Sequence, residues 1–260
     1  MKTKVDECIH CGLCKKHCLF LQKYNMDLQQ FHNTPELAYH CFLCGKCKTV
    51  CPKQINGREI ALQNRRTIVE NGGGKLPDNS YDGLILEKSP YKFANYRHAN
   101  KKAVLFTGCN FPSFYPETTD KLVEEFRKHG VGVIYDCCGK PIEELGLTEE
   151  ASGIIARINA KLKAAGVEQL VMACPNCYYF LRGRVQAEVV SVYEKMQELG
   201  IGKVFEKERI PMYYPCPDRK DKKIADDIYD EHEELSDGEC DELIKRELEK
   251  YEPYWKNVIC

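Results

Sequence analysis

The chain has 260 residues, with 38 basic and 39 acidic side chains, a formal net charge of -1 and 16 cysteines. That length holds one large or two modest domains whose cores need no disulfides, and two is the expectation. The balanced charge excludes a global attraction to nucleic acid or to an anionic membrane surface, and the absence of any long apolar run or leader-like N-terminus makes a soluble, cytoplasmic protein the expectation.

The first feature along the chain is "CIHCGLCKKHC", with cysteines at 8, 11, 14 and 18, and its spacing returns in "CFLCGKCKTVCP" at 41, 44, 47 and 51. In a reducing compartment such clusters are metal ligands before they are cystines. Three thiolates at two-residue intervals wrap one face of a cubane, and the fourth, after a longer step, ligates the other cluster of a pair. Cluster one is therefore assigned to Cys8, Cys11, Cys14 and Cys51, and cluster two to Cys41, Cys44, Cys47 and Cys18. Structural zinc would use two CxxC pairs and leave half of these thiols without a role. Gly12 and Gly45 fall at matching positions, where the backbone is expected to pass close to a cluster. His10, His17 and His40 stand beside these cysteines, either tuning potentials and carrying protons or as ordinary half-exposed side chains.

Between the runs, apolar residues recur at helical intervals and Pro35 opens a second short helix; beyond Pro52, "NGREIALQNRRTIVENGGG" predicts an amphipathic helix stopping at Gly72 to Gly74. The region is more helical than a minimal bacterial ferredoxin. It resembles the α-helical ferredoxin domains of heterodisulfide reductase C subunits and of the iron-sulfur subunits of anaerobic glycerol-3-phosphate dehydrogenase.

Residues 73–100 read as a linker that still carries apolar side chains such as Tyr91 and Tyr96. After it, strands are expected at 103–108, 131–136, 168–174 and 209–216, alternating with helices at 118–130 and 148–166, the latter capped by Thr148. The fold expected is thus α+β and multi-domain: an α-helical ferredoxin domain over residues 1–72, then an α/β domain with a mainly parallel sheet over residues 101–260. Function in such sheets gathers at the carboxyl ends of the strands. Cys109, Cys137, Cys138, Cys174, Cys177 and Cys216 all follow expected strands, so they are expected on one rim. Each alone could be a small buried hydrophobe.

The pattern "FTGC…CCG…CPNC" resembles the cysteine-rich CCG domain of heterodisulfide reductase B subunits and is similar to domains in the iron-sulfur subunits of glycolate, lactate and glycerol-3-phosphate dehydrogenases. The resemblance implies that Cys109, Cys137, Cys138, Cys174 and Cys177 hold a third, noncubane [4Fe-4S] cluster and act as the catalytic set in disulfide or thiol redox chemistry. Larger relatives carry this motif twice; here "YYPCPDR" matches only the opening of a second copy, and Cys240 and Cys260 are isolated, so the second half reads as degenerate, with an acidic helical tail.

Three functions compete: an iron-sulfur subunit of an anaerobic oxidoreductase complex acting on sulfur groups, a pure electron relay between a flavoprotein and a quinone or ferredoxin, and a protein holding structural zinc at the CCG site. No GxGxxG follows the first strand and "NGGGK" is no phosphate loop, so a flavoprotein or other redox partner is expected to deliver or receive electrons.

Overall fold

A computed structural model describes residues 4–202, 211–212, 216–218, 221–226 and 233–234. The chain forms two compact units, Met1–Val190 and Ser191–Cys260.

The first unit opens with short helices strung between the cysteine runs. A 3-10 turn, Lys4–Glu7, precedes α1 (Leu13–Lys16), α2 (Leu19–Lys23) and α3 (Leu28–His32), then a 3-10 helix, Pro35–His40, begun by Pro35, and α4 (Lys46–Thr49). Asp27 caps α3 in a capping box with Gln30, satisfying amides that a five-residue helix would otherwise leave bare. The predicted long helix is α5 (Gly57–Asn71), started by the Asn56 side chain and ended at Gly72. Phe20, Leu21, Leu28, Phe31, Ile55 and Ile60 form a small core in which Phe20 and Phe31 meet edge to face at 5.0 Å, and Cys14, Cys47 and Cys51 belong to it.

The segment expected as a linker contains α6 (Asp82–Lys88) and β1 (Asn95–His98). β1 pairs antiparallel with the strand of residues 132–135, at the edge of a five-stranded sheet. Its residues, Asn-Tyr-Arg-His, are half-buried or exposed, because an edge strand is held by backbone bonds and needs no apolar period.

The α/β region continues with β2 (Ala103–Phe106), α7 (Asn110–Phe114), α8 (Pro116–Lys128), β3 (Gly132–Tyr135), α9 (Lys140–Glu144), α10 (Thr148–Ala165), β4 (Gln169–Met172), α11 (Pro175–Leu181) and β5 (Glu188–Ser191), in the sheet order β1-β3-β2-β4-β5. β2 lies parallel to β3 and β4, and Val104, Leu105 and Phe106 are buried. Three of the four expected strands, those at 103–108, 131–136 and 168–174, are present in this sheet as β2, β3 and β4. Leu147, not Thr148, is the N-cap residue of α10, and no side chain caps it. The edge place next to β4 is taken by β5 rather than by residues 209–216: Pro211–Met212 pairs instead with Glu233–Glu234. Two prolines in "RIPMYYPC" remove ladder donors, whereas "EVVS" offers consecutive β-branched residues.

Topology and register position the rim. Phe106 stands opposite Ile134 on one side and Met172 on the other, so the loops after β2, β3 and β4 leave the sheet at one level. The connection from β2 runs to β3 on one side and that from β4 runs to β5 on the other, which makes the gap between β2 and β4 a topological switch point.

The helical module is joined to this region through α5 and α9. Arg65, buried on α5, donates to the carbonyls of Ala38 (3.2 Å), Cys41 (2.7 Å) and Glu144 (2.7 Å). Tyr39 Oη donates to Leu145 O (2.9 Å), and Arg58 pairs with Glu144 (3.0 Å). Gly146, at φ 96°, is needed here because a Cβ would stand 2.7 Å from the Arg65 carbonyl oxygen.

In the second unit Ser191 caps α12 (Val192–Leu199) by accepting from the Glu194 amide, and Gly200 ends it; α13 (Lys223–Asp226) and the paired strands β6 (Pro211–Met212) and β7 (Glu233–Glu234) follow. Cys216 lies in an exposed turn of this unit. Cys240, Cys260 and most of the acidic tail lie outside the described residues. Among the described residues no helix is long and apolar enough to cross a membrane.

Candidate metal centres

The two N-terminal runs fold alike, residue for residue. His10 and Leu43, at φ 53° and 60°, and Gly12 and Gly45, at φ 74° and 76°, occupy matching left-handed positions, and each pair is followed by a four-residue helix carrying the third cysteine. Two left-handed residues between the first and third cysteine curl the loop, so thiols three residues apart face a common point. A Cβ at Gly12 or Gly45 would meet nothing within 4 Å, so the backbone angle, not the expected close approach, is what the protein atoms require of glycine there.

Cys8, Cys11, Cys14 and Cys51 line one cavity, together with Asp27, Leu28 and Ile55. Cys18 lies instead beside Cys41 and Cys47, close enough for its charge to act on both, and Cys44 belongs to the same group. Cys51 thus lies with the thiols of the first run, and Cys18 with those of the second. Burial pushes the Cys14 and Cys41 thiols up and Cys47 up to about 12, while the amides of Leu28, Leu43 and Gly57 donate to these three sulfurs and favour thiolate. Gly57 has a second reason to lack a side chain: its Cβ would stand 2.7 Å from Cys47 Sγ and 2.8 Å from Leu28 Cδ2. Cys11 and Cys44 are exposed, and so are Ile9, Leu13 and Phe42, so both groups reach the surface.

On the sheet rim the other five cysteines meet. Cys109 follows β2 and precedes α7, Cys137 and Cys138 follow β3, and Cys174 and Cys177 follow β4, with Cys174 at the start of α11. Their sulfurs stand in one unbroken row, Cys109, Cys137, Cys138, Cys177 and Cys174, each close enough to its neighbour to shift that thiol's proton affinity. Gly108, at φ 73°, lets β2 and β4 approach across the switch point: a Cβ there would stand 3.2 Å from Cys177 Sγ. Four of the five are buried and Cys174 is half-buried.

Proton affinity along this row is uneven, and Cys109 and Cys137 are both pushed up. Hydrogen bonds from Cys137 and Cys177, helped by the Lys140 amide, bring Cys138 down to about 5, and a bond from Cys177 with the amides of Cys177 and Asn176 brings Cys174 down to about 6. The donors move the other way: Cys177 is raised by giving its proton to Cys138 and Cys174, and Cys109 by its bond to Cys137 and by burial. Five soft donors gathered at one point, with Cys138 and Cys174 held low by their donors, fit a thiophilic metal or iron-sulfur cluster.

Comparison with known proteins agrees with this chemistry. Residues 4–55 match the 4Fe-4S dicluster domain family, and residues 103–182 match the cysteine-rich domain family. The chain is an iron-sulfur protein of two modules. It is similar to an uncharacterized iron-sulfur protein of Methanocaldococcus jannaschii, 26% identical over 73% of the chain and 43% of the relative. It is also similar to the B component of the fumarate reductase (CoM/CoB) of Methanothermobacter marburgensis, 26% identical over 55% of the chain and 32% of that relative. An uncharacterized iron-sulfur protein of Methanococcus maripaludis is 23% identical over 73% of the chain and 43% of its own length. The chain thus spans less than half the length of the curated relatives it matches. No solved structure matches it.

Around the rim thiols of this iron-sulfur protein stand residues that sequence reasoning missed. Asp136, fully buried, accepts from the Cys137 amide (2.8 Å) and from Tyr96 Oη (2.8 Å), and so fixes the backbone of the cysteine pair. Burial, then the Asp136 charge, raises Tyr96 far above its usual range, so it stays a donor. Tyr91 packs on Cys109 and Cys137, and Lys88 reaches Cys109. The only sequence signal was the apolar content of residues 81–96 and the acid in "YDCCG". The histidines divide: His10 Nδ1 meets Asp27 Oδ2 at 2.6 Å, His40 Nδ1 meets Tyr24 Oη at 2.9 Å, and His17 is exposed.

Proposed function

We propose that the chain is the iron-sulfur subunit of a reductase complex, in which the helical module exchanges electrons with a partner and the five-cysteine rim is the far end of the path. The observation that carries this reading is the unbroken run of five sulfurs at the switch point, in a chain whose other eight motif cysteines sit in two groups of four. Cys8, Cys11, Cys14 and Cys51 would hold one [4Fe-4S] cubane, Cys18, Cys41, Cys44 and Cys47 the second, and Cys109, Cys137, Cys138, Cys174 and Cys177 a third cluster of noncubane type. Such clusters, when bound, take and give single electrons, and an irregular one can also expose iron to a sulfur ligand.

The residues of this chain set up the route. Cys11 and Cys44 lie at the surface, where a flavoprotein or other carrier could approach. Arg65 ties the Cys41 carbonyl to the Glu144 carbonyl of α9, the helix that starts directly after the CCG sequence, so the second group is the one coupled to the rim. The Lys140 amide and Asp136 hold Cys138 and Cys137 in place. Cys174, least buried of the five, marks the side from which a thiol or disulfide would approach; a disulfide reduced there takes two electrons from the reduced partner and two protons from solvent and leaves two thiols.

Burial of the other four rim sulfurs favours a second reading, a relay that passes electrons to a further protein without substrate chemistry. Iron, sulfide and zinc quantification on anaerobically purified protein is the first test, with about twelve irons expected from three four-iron clusters. About eight irons, the content of two cubanes alone, together with bound zinc would overturn the third-cluster reading. Added thiols should then alter the spectrum of the third cluster; an unaltered spectrum selects the relay.

A further inference from the structure

The segment between the modules carries a charge to the five-cysteine rim. α6 ends at Lys88, and the turn after it is pinned on several sides: Ser89 Oγ donates to Glu150 on α10 (2.5 Å), the Lys92 amide donates to the Glu87 carbonyl (2.9 Å), and Lys88 and Tyr91 form an antiparallel bridge. Both side chains of that bridge turn inward. Tyr91 is buried against Cys109 and Cys137; Lys88 is buried with its ammonium 5.2 Å from the centre of that same ring, so its charge acts on the Cys109 sulfur.

An ammonium is costly to bury, so its position calls for a physical account. Its counterion is Glu87, at 2.6 Å, whose side chain is 42% exposed while that of Lys88 is 11% exposed. The pair is therefore an oriented dipole: the positive end lies in a water-poor site beside Tyr91, which packs on Cys109, and the negative end is screened by solvent. The Cys8 group differs: its cavity is lined by the carboxylate of Asp27, which meets His10, and by Lys53.

We infer that Lys88 is a positioning residue for the third centre: its fixed positive charge on the Cys109 sulfur stabilises the state carrying one more electron, and makes this centre the electron sink of the chain. The inference rests on the reading of Cys109 as a ligand. The step is the addition of one electron from the reduced redox partner, with no bond made or broken.

The test is an anaerobic potentiometric titration of the full-length holoprotein, following each centre by electron paramagnetic resonance. Lys88→Met should disfavour reduction of the third centre by about tenfold or more, a fall of at least about 59 mV for a one-electron couple, and leave the two cubane potentials in place. Glu87→Gln, which leaves the ammonium uncompensated, should move the third centre the opposite way, and Lys88→Arg should keep it near the wild-type value. A third centre present in all variants with its reduction equilibrium changed less than twofold would overturn the inference alone. If Lys88→Met fails to assemble the third centre, Glu87→Gln decides by the sign of its shift: upward supports the inference, none or downward refutes it. Wild-type protein without any third signal removes the three-cluster reading, and this inference with it.

Discussion

Replacing Arg65 by methionine keeps an unbranched stem like that of arginine and removes the guanidinium that joins the two modules. Three carbonyls lose their donor: half-buried Cys41 and Glu144, each at 2.7 Å, and buried Ala38 at 3.2 Å. The two short bonds, each from a charged donor, are worth about 1.5–3 kcal/mol apiece. Against this stands the cost of burying the cation, visible in the direction of its pKa: burial lowers Arg65, although nearby Cys41 and the tyrosines support its charge. The net loss expected is about 2–4 kcal/mol. With a urea m-value of about 2 kcal/mol/M, the unfolding midpoint followed by circular dichroism under anaerobic conditions should drop by about 1–2 M. Arg65→Lys should recover less than half of the loss, because one ammonium cannot reach three separate carbonyls in the fork geometry of arginine. A midpoint loss equivalent to less than about 0.5 kcal/mol, the range of an ordinary surface substitution, would refute the claim that Arg65 joins the modules.

Cys18→Ser should impair the cluster associated with Cys41, Cys44 and Cys47 and spare the one associated with Cys8, and Cys51→Ser should do the reverse; Mössbauer or paramagnetic spectra that change the other way would break the crossed assignment. Gly57→Ala places a methyl 2.7 Å from Cys47 Sγ and 2.8 Å from Leu28 Cδ2, so a destabilisation of about 1–3 kcal/mol from overpacking and loss of iron from the second cluster are expected, measured by denaturation and iron content. Tyr96→Phe removes the hydroxyl donated to buried Asp136. It should cost about 1–3 kcal/mol and weaken retention of the third cluster, seen as faster bleaching of its absorbance under chelator; unchanged stability would show that Asp136 needs no second donor.

Much of this protein was written locally. Helix α5 between Asn56 and Gly72, the strands β2, β3 and β4, and both cysteine runs follow from short-range pattern, because capping, periodicity and ligand spacing act over a few residues. The sequence also placed five cysteines after strands, and strand ends in an open parallel sheet share a side. Other features depend on pairs of residues far apart in the chain. That Phe106 stands level with Ile134 and Met172, which brings Cys109, Cys137 and Cys174 to one height, is set by backbone register, and register leaves no local mark when all three strands are apolar. β1 was hidden because an edge strand needs backbone bonds and not apolar side chains, and β5 because four residues are too short to show a period. The close packing of Gly57 on Cys47, the Arg65 tie across 79 residues to Glu144, and the Lys88, Tyr91, Tyr96 and Asp136 shell around the rim sulfurs exist only once the helical module and the sheet are folded against each other. Sequence alone thus determined which thiols were available and in what sets; tertiary structure decided which charge and which hydrogen bonds face each set, because those partners are recruited by packing and not by spacing.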